Sequence, residues 1–544
     1  MKRVVALGVL LALAIANPCG RPARAAADFA DVPPGHWAAA YIRELRGLGV
    51  TDGVGNNRFG LGRSVTRAEF ASFLCKLMRW EEVQPAEGHF EDNRDGAQWY
   101  YGFIETALAH GAILADAPRF EPNEAITREA MAVMIVRALG YDALGAHLAA
   151  LGSPFPDVTG YAGYITIAKD LEIINGMSPT RFAPGETALR EHAAAMMMRM
   201  YWLEQNRAGF SNAFYAIRSA GQMDMVPSFD AVSFGWSRLA LSDGVLTLHS
   251  DAAGGHEYFV PEGYEEPLGK AKGETLLMAA VSAADSVAII GDGALRAQAA
   301  QLLADAARAG VPAASGGQPA FDGIVVDFET LRGAQARDNF SRFLADLRAQ
   351  MPAGRRLYVA VHPRRRPGVA VYDGYDYRAI GALADRVILM AHDYYPKRLT
   401  QDERESGVTH TPAAPLDEVY YALRAVCDPD TGVEDRSRVL LQISFDAVQW
   451  KARDGVILNE TPYAPAYSAI EARIQAGASV TFDPVAQSPY IAFRDTQDQT
   501  DNIVWYEDAR SVAAKAKLAA RFGLGGLSYW RLGLIPDGVT PAGR

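Results

Sequence analysis

From about Ala213 to Gly533, short apolar runs alternate with Ala-rich stretches whose apolar residues recur at helical spacing. The runs Met225 to Phe234, Thr275 to Val281, Gly323 to Phe328, Leu357 to Val361, Arg386 to Met390, Val439 to Ile443 and Gly526 to Trp530 predict strands. Between and after them, Ala294 to Ala309, Asp338 to Gln350, Tyr377 to Leu383, Leu416 to Val426, Tyr467 to Gln475 and Glu507 to Phe522 predict helices. Strand then helix, repeated over such a length, predicts a parallel α/β architecture with a TIM (β/α)8 barrel as the leading form. A doubly wound open sheet is the rival, but no Gly-rich phosphate loop follows the first strand.

One run carries acids. In Phe321-Asp322-Gly323-Ile324-Val325-Val326-Asp327-Phe328-Glu329 the strand alternation turns Val325, Asp327 and Glu329 to one face. Carboxylates two residues apart sit about 6 to 7 Å from each other, so the charge on one can raise the pKa of the other and keep it protonated as an acid. A strand whose polar end merely meets solvent is the plainer reading. Other predicted strands also end in polar and aromatic residues: Trp236, His362, His392-Asp393-Tyr394-Tyr395, Gln442 with Ser444, and Tyr529-Trp530. A barrel places its chemistry at those C-terminal ends, and aromatics among acids fit a cleft that stacks rings on sugar faces.

The front of the chain is patterned differently, as three internal repeats. Phe29-Ala30-Asp31-Val32 with His36-Trp37 recurs as Phe90-Glu91-Asp92 with Trp99-Tyr100, and as Phe155-Pro156-Asp157-Val158 with Tyr164-Ile165. Each copy has a helix, a turn around Arg58-Phe59, Arg119-Phe120 or Arg181-Phe182, and a second helix opening at Thr66-Arg67, Thr127-Arg128 or Leu189-Arg190. Thr66 and Thr127 are good N-caps. A cation beside the positive end of a helix dipole is unfavourable, so arginine kept there three times predicts either an ion pair with the neighbouring Glu or forked donors for an anionic ligand.

Composition narrows the class. Hydrophobic content of 49% and charged content of 22% are those of a globular protein, and 544 residues suggest more than one domain. A net charge of −11 argues against a nucleic-acid partner. Met1-Lys2-Arg3, the apolar run Val4 to Ala16 and Ala23-Arg24-Ala25 read as a secretory signal peptide over residues 1–25. No later segment approaches the roughly 20 apolar residues of a membrane span. Cys75 and Cys427 lie too far apart to suggest a disulfide, and the scattered histidines suggest no metal site.

The triplet resembles S-layer homology repeats, over residues 28–82, 88–143 and 153–204. That resemblance implies an all-α, pseudo-threefold unit that binds secondary cell-wall polymer, with Arg67, Arg128 and Arg190 as the ligand-contacting arginines. The third copy departs from the pattern, with Leu189 in place of Thr and no Trp after Asp157-Val158.

Residues 213–540 resemble a glycoside hydrolase family 18 barrel. Asp322 to Glu329 is similar to that family's Asp-Gly-x-Asp-x-Asp-x-Glu strand, Met390-Ala391-His392-Asp393 to its Met-x-Tyr-Asp, and Ser528-Tyr529-Trp530-Arg531 to its last strand. Val504 to Asp508 and Gly525 to Gly533 resemble the bacterial branch that includes spore-cortex and cell-wall N-acetylglucosaminidases. The resemblance implies substrate-assisted hydrolysis of a β-1,4 bond beside an N-acetylated sugar, without cofactor. Glu329 would be the general acid and Asp327 its partner. Asp322, Asp393, Tyr394, His392, Trp530, Tyr529, Trp236 and Gln442 would bind substrate. Val325 and His392 stand where the family has Asp or Asn and Tyr, so a catalytically silent carbohydrate-binding barrel tethered to the envelope is the alternative, and a purely structural envelope protein a third. Peptidoglycan and chitin are equally compatible with these residues.

Overall fold

In a computed structural model, residues 28–252, 257–366 and 372–542 are described; the expected signal peptide falls outside them. The chain divides into two compact units. The first holds residues 28–140, 155–158 and 173–201, and the second holds residues 141–154, 159–172 and 202–542.

The first unit closes on itself through its three repeats. Val65 N–H donates to the Ala188 carbonyl (3.0 Å), Ala188 N–H to Ile126 (2.9 Å) and Ile126 N–H to Val65 (3.0 Å), a ring of three backbone hydrogen bonds with one member per repeat. Immediately after each ring residue a helix begins: Arg67–Met78, Arg128–Ala138 and Arg190–Gln205. The Thr66 hydroxyl accepts from Glu69 N–H and the Thr127 hydroxyl from Ala130 N–H, satisfying donors that the first turn leaves free. In every repeat the motif aspartate clamps the later Phe segment: Asp31 accepts from Phe59 and Gly60 N–H, Asp92 from Phe120 and Glu121, and Asp157 from Phe182 and Ala183. Regular elements here are helices, joined by isolated bridges such as Thr66 to Ala125 and Thr127 to Thr187.

The second unit is built on β1 (Phe210–Tyr215), β2 (Ala231–Ser242), β3 (Val245–His249), β4 (Glu274–Val281), β5 (Gly323–Asp327), β6 (Arg356–Val361), β7 (Arg386–Leu389), β8 (Val439–Ser444), β9 (Val448–Arg453), β10 (Val456–Ile457), β11 (Ser479–Asp483), β12 (Ser488–Asp495), β13 (Thr500–Trp505) and β14 (Gly526–Trp530). Eight run parallel in the order β1, β2, β4, β5, β6, β7, β8, β14, and β1 pairs with both β2 and β14. The sheet is a closed barrel, which settles the choice against an open sheet. Inward alternation fills it with Phe214, Met278, Val325, Tyr358, Ile388 and Leu440.

Between β8 and β14 the chain inserts a five-stranded antiparallel sheet, ordered β10-β9-β13-β12-β11, with helix Tyr467–Gln475. Its core is Trp450 and Trp505 with Val448, Ile457 and Leu399. A buried pair ties the insertion to the last barrel helix, Ala509–Arg521: Lys515 Nζ lies 2.8 Å from Glu507 Oε2 and 3.3 Å from Ser488 Oγ, both charged side chains 1% exposed.

Candidate active site

Strand β5 delivers the acids. Val325 and Asp327 share its inward face, Val325 in the barrel core and Asp327 above it at the strand's C-terminal end. Asp327 is buried, and its Oδ1 has no hydrogen-bond partner. Burial, then the charge of Glu329, raise its pKa well above the ordinary aspartate value. Glu329 lies two residues past the strand with its side chain 47% exposed, and His362 Nε2 stands 3.6 Å from its Oε2. His362 favours the Glu329 carboxylate, outweighing burial, and lowers its pKa. The two shifts favour the proton on Asp327 over Glu329, whereas the family resemblance implies Glu329 as the acid. Burial leaves Asp327 dry with its Oδ1 unbonded, whereas Glu329 is half-exposed and faces an imidazole.

Past β7, the His392 ring spans two acceptors, with Nε2 2.7 Å from Gln442 Oε1 and Nδ1 3.6 Å from Asp393 Oδ2. Burial disfavours its cation, but Asp393 and Gln442 prevail and raise its pKa. Asp393, at φ 63°, also pairs with Lys397 Nζ at 3.1 Å. Desolvation opposes its charge, yet His392 and Lys397 hold its carboxyl well below the usual range. At the end of β14, half-buried Trp530 stands edge-on to Phe214 at 5.2 Å, and its peptide bond to Arg531 is cis. Asp327, Glu329, His392, Asp393, Gln442 and Trp530 thus collect at the C-terminal end of the barrel.

Four expected binding residues do not present a free group there. Asp322 immediately precedes β5, and its Oδ2 accepts from Thr275 N–H and Oγ1 at 2.9 Å each, at the opposite end of the barrel. Trp236 is 0% exposed, packed on Phe234, Tyr215 and Phe321 within an irregularity in β2 between Phe234 and Ser237. Tyr529 alternates outward onto Phe229 and Phe445, with its hydroxyl donating to the Thr540 carbonyl at 3.3 Å. Tyr394 turns its hydroxyl to the Glu418 carbonyl (3.4 Å), and Arg365 covers its ring at 4.4 Å. Conversely, the sequence marks His362 only as a polar strand end and gives it no role, although Tyr358 and Ala360 in the core put it on the inward parity of β6. Among the described residues, no group of three or more His, Cys, Asp or Glu could hold a metal ion.

In the repeat unit the three arginines first serve the fold. Arg67, Arg128 and Arg190 Nε donate to the carbonyls of Phe120, Phe182 and Phe59, each reaching the next repeat and covering that Phe ring. Neither the expected pairing with the adjacent Glu nor a freely presented fork describes them. Arg190 is wholly committed: 2% exposed, it also pairs with Glu69 Oε1 at 3.0 Å and reaches Thr51 Oγ1. Arg128 instead borders a groove of about 260 Å³ with Trp37, Asn175, Met177, His192 and Arg199. Trp37 is 53% exposed, and burial, then Arg128, lower the pKa of His192.

A glycosidase-like barrel following a triplet of helical repeats is the class these features define. Residues 280–534 match glycosyl hydrolases family 18, and residues 28–71, 90–132 and 154–194 match the S-layer homology domain. The chain carries three S-layer homology repeats followed by a glycosyl hydrolase family 18 domain. It is 26% identical over 218 residues to the cortical fragment-lytic enzyme of Bacillus anthracis, covering 39% of this chain and 46% of that enzyme. It is 33% identical over 141 residues to the S-layer protein sap of Bacillus anthracis, covering 26% and 17% of the two chains. The crystal structure of the Bacillus cereus spore cortex-lytic enzyme SleL aligns at a TM-score of 0.47 and 20% identity, over 60% of this chain and 72% of that one. The chain spans about half the length of the cortical fragment-lytic enzymes it matches.

Proposed function

We propose that this is a secreted, envelope-attached glycoside hydrolase that cleaves β-1,4 bonds beside N-acetylated sugars in peptidoglycan or a chitin-like glycan. The observation that carries the reading is Glu329, half-exposed at the C-terminal end of β5 beside a buried Asp327 whose pKa is raised. Substrate seated in the cleft strips water from Glu329 and raises its proton affinity, so the proton on Asp327 becomes available to it. Glu329 then protonates the leaving glycosidic oxygen while the substrate's acetamido carbonyl attacks the anomeric carbon, the substrate-assisted exception to two-carboxylate catalysis. The ionised Asp327 stabilises the oxazolinium. Water opens it, giving its proton to Glu329, and the configuration is retained. Asp393 and His392 hold the acetamido group, over a floor made by Trp530.

For attachment, the groove of Trp37, Arg128, His192 and Arg199 offers an exposed aromatic face and positive charge to an anionic wall polymer, with Arg128 mostly buried at its edge and bonded to the Phe182 and Asn175 carbonyls. The similarity to a cortical fragment-lytic enzyme and to an S-layer protein supports wall glycan as substrate and the envelope as location. The alternative, a silent carbohydrate-binding barrel, draws on Val325, which leaves Asp327 without the polar neighbour it would exchange a proton with. Incubation with peptidoglycan, chitin oligomers and glycan strands decides between them. Release of reducing ends by wild type and not by Glu329→Gln supports hydrolysis, and identical background from both refutes it. For the anchor, equal pelleting with purified walls by the full chain and by residues 206–544 refutes attachment through the repeats.

A further inference from the structure

The loop that carries Glu329 is tied at three points to residues 373–375 of the segment that follows β6. The Tyr375 hydroxyl donates to the Phe328 carbonyl at 2.7 Å, Gly374 N–H to the Leu331 carbonyl at 3.2 Å, and Gly333 N–H to Asp373 Oδ1 at 2.8 Å. His362, at the start of the same β6 loop, stacks on Tyr372 at 4.1 Å with the rings 13° apart, and Arg332 covers Tyr372 at 5.7 Å. The Tyr377 hydroxyl fixes the backbone of His362 by donating to its carbonyl at 2.8 Å. The elements form a closed circuit: Glu329 to His362, to Tyr372, to Arg332, and back through Leu331 and Thr330.

His362 Nε2 is buried with no hydrogen-bond partner, and the nearest charge in front of it is Glu329 Oε2 at 3.6 Å. A ring nitrogen so enclosed and so aimed, on a ring clamped by stacking, is a tool for one neighbour. The geometry points to His362 as the positioning residue of the catalytic acid: it aims Glu329 and keeps it a carboxylate until substrate arrives. This inference rests on the hydrolase reading for its consequence in turnover, but not for its consequence in Glu329 ionisation. Besides His362, Glu329 is faced by Asp327, His392 and Asp393, and by the hydroxyls of Tyr258 and Tyr375. The two acids favour a protonated Glu329, and His392, like His362, favours the carboxylate.

The sign follows directly. The proton that Glu329 delivers belongs to the Asp327–Glu329 pair, so the rate falls as pH rises through the pKa at which the pair loses it, and whatever raises the proton affinity of Glu329 raises that value too. Removing His362 removes a group that favours the carboxylate, so the pKa rises and the basic limb moves to higher pH. The test uses the full chain with 13C-labelled glutamate side chains, Glu329 being assigned from the signal lost in Glu329→Gln. Expected are a higher Glu329 titration midpoint in His362→Gln than in wild type, a basic limb of kcat/KM moved to higher pH, and a kcat lower on the order of 10²-fold from lost aim. Tyr372→Leu keeps the imidazole but not its stack, moves the midpoint the same way by less, and stands in if His362→Gln does not fold. An unchanged midpoint in the folded variants overturns the inference whether or not the protein hydrolyses anything. Wild type without hydrolysis but with a shifted midpoint in the variants overturns the hydrolase reading alone.

Discussion

His392 and Gln442 meet at 2.7 Å across the ends of β7 and β8, and the other imidazole nitrogen faces Asp393. Both ring nitrogens look at acceptors, an arrangement that suits the doubly protonated ring. The folded pKa of His392 is raised above its unfolded value, so its stabilisation is complete below about pH 6 and lost as pH climbs through the folded value.

Asp327 slopes the same way. Its folded pKa is also raised, so the fold loses stability as pH rises from the ordinary aspartate range toward that value. Asp327→Asn cannot ionise. Thermal melts of variant and wild type are expected to show a difference near zero at pH 4 that grows in favour of the variant toward pH 8; a difference that shrinks with pH contradicts a protonated Asp327.

Glu329→Gln removes the proton donor from a half-exposed position, so the melt stays near wild type while turnover falls about 10²- to 10⁴-fold. Reducing-end release alongside a thermal scan separates the two effects.

Lys515→Met strands the Glu507 carboxylate in a dry site, at a cost of about 3 to 5 kcal/mol. Pairing it with Glu507→Leu removes both charges and restores most of that. Chemical denaturation of the two variants checks this, and equal losses mean that the charge pairing is not what holds the insertion to its helix.

Arg190→Ala leaves Glu69 facing a buried gap and costs about 3 kcal/mol or more. Arg67→Ala, half-buried and bonded to one carbonyl, costs about 1 kcal/mol. Arg128→Ala is expected to weaken wall pelleting more than Arg67→Ala does, because Arg128 borders the groove.

A Cβ at Gly374 would lie 2.4 Å from the Leu331 carbonyl carbon and 2.6 Å from Arg332 nitrogen. Gly374→Ala therefore pries the segment after β6 from the Glu329 loop. Turnover is expected to fall on the order of 10²-fold with little change in substrate affinity, read from kcat and KM separately.

The barrel was legible because its strands are unbroken apolar runs: Gly526–Trp530 and the helices at 377–383, 416–426 and 467–475 stand where periodicity puts them. Strand β1 was not, because Ser211 and Asn212 look like loop residues. They are buried and bonded sideways, to Asp230 and to Ser528 and Ser233. The run from Met225 misled in the opposite sense: Ile217–Ser228 is 3-10 helix and the strand starts at Ala231. The inserted sheet hid because its strands are short and half-exposed. In the site, spacing revealed which acids are neighbours. Which of them holds the proton depends on burial and on His362, and neither can be read from the interval between two carboxylates.

The three-membered hydrogen-bond ring of Val65, Ile126 and Ala188 has a counting property. Each residue donates to one repeat and accepts from another, so a chain with two copies leaves one donor and one acceptor facing nothing, and a fourth copy finds no place. The triplet is therefore an indivisible unit, and loss of any single copy is expected to disable the whole of it rather than a third.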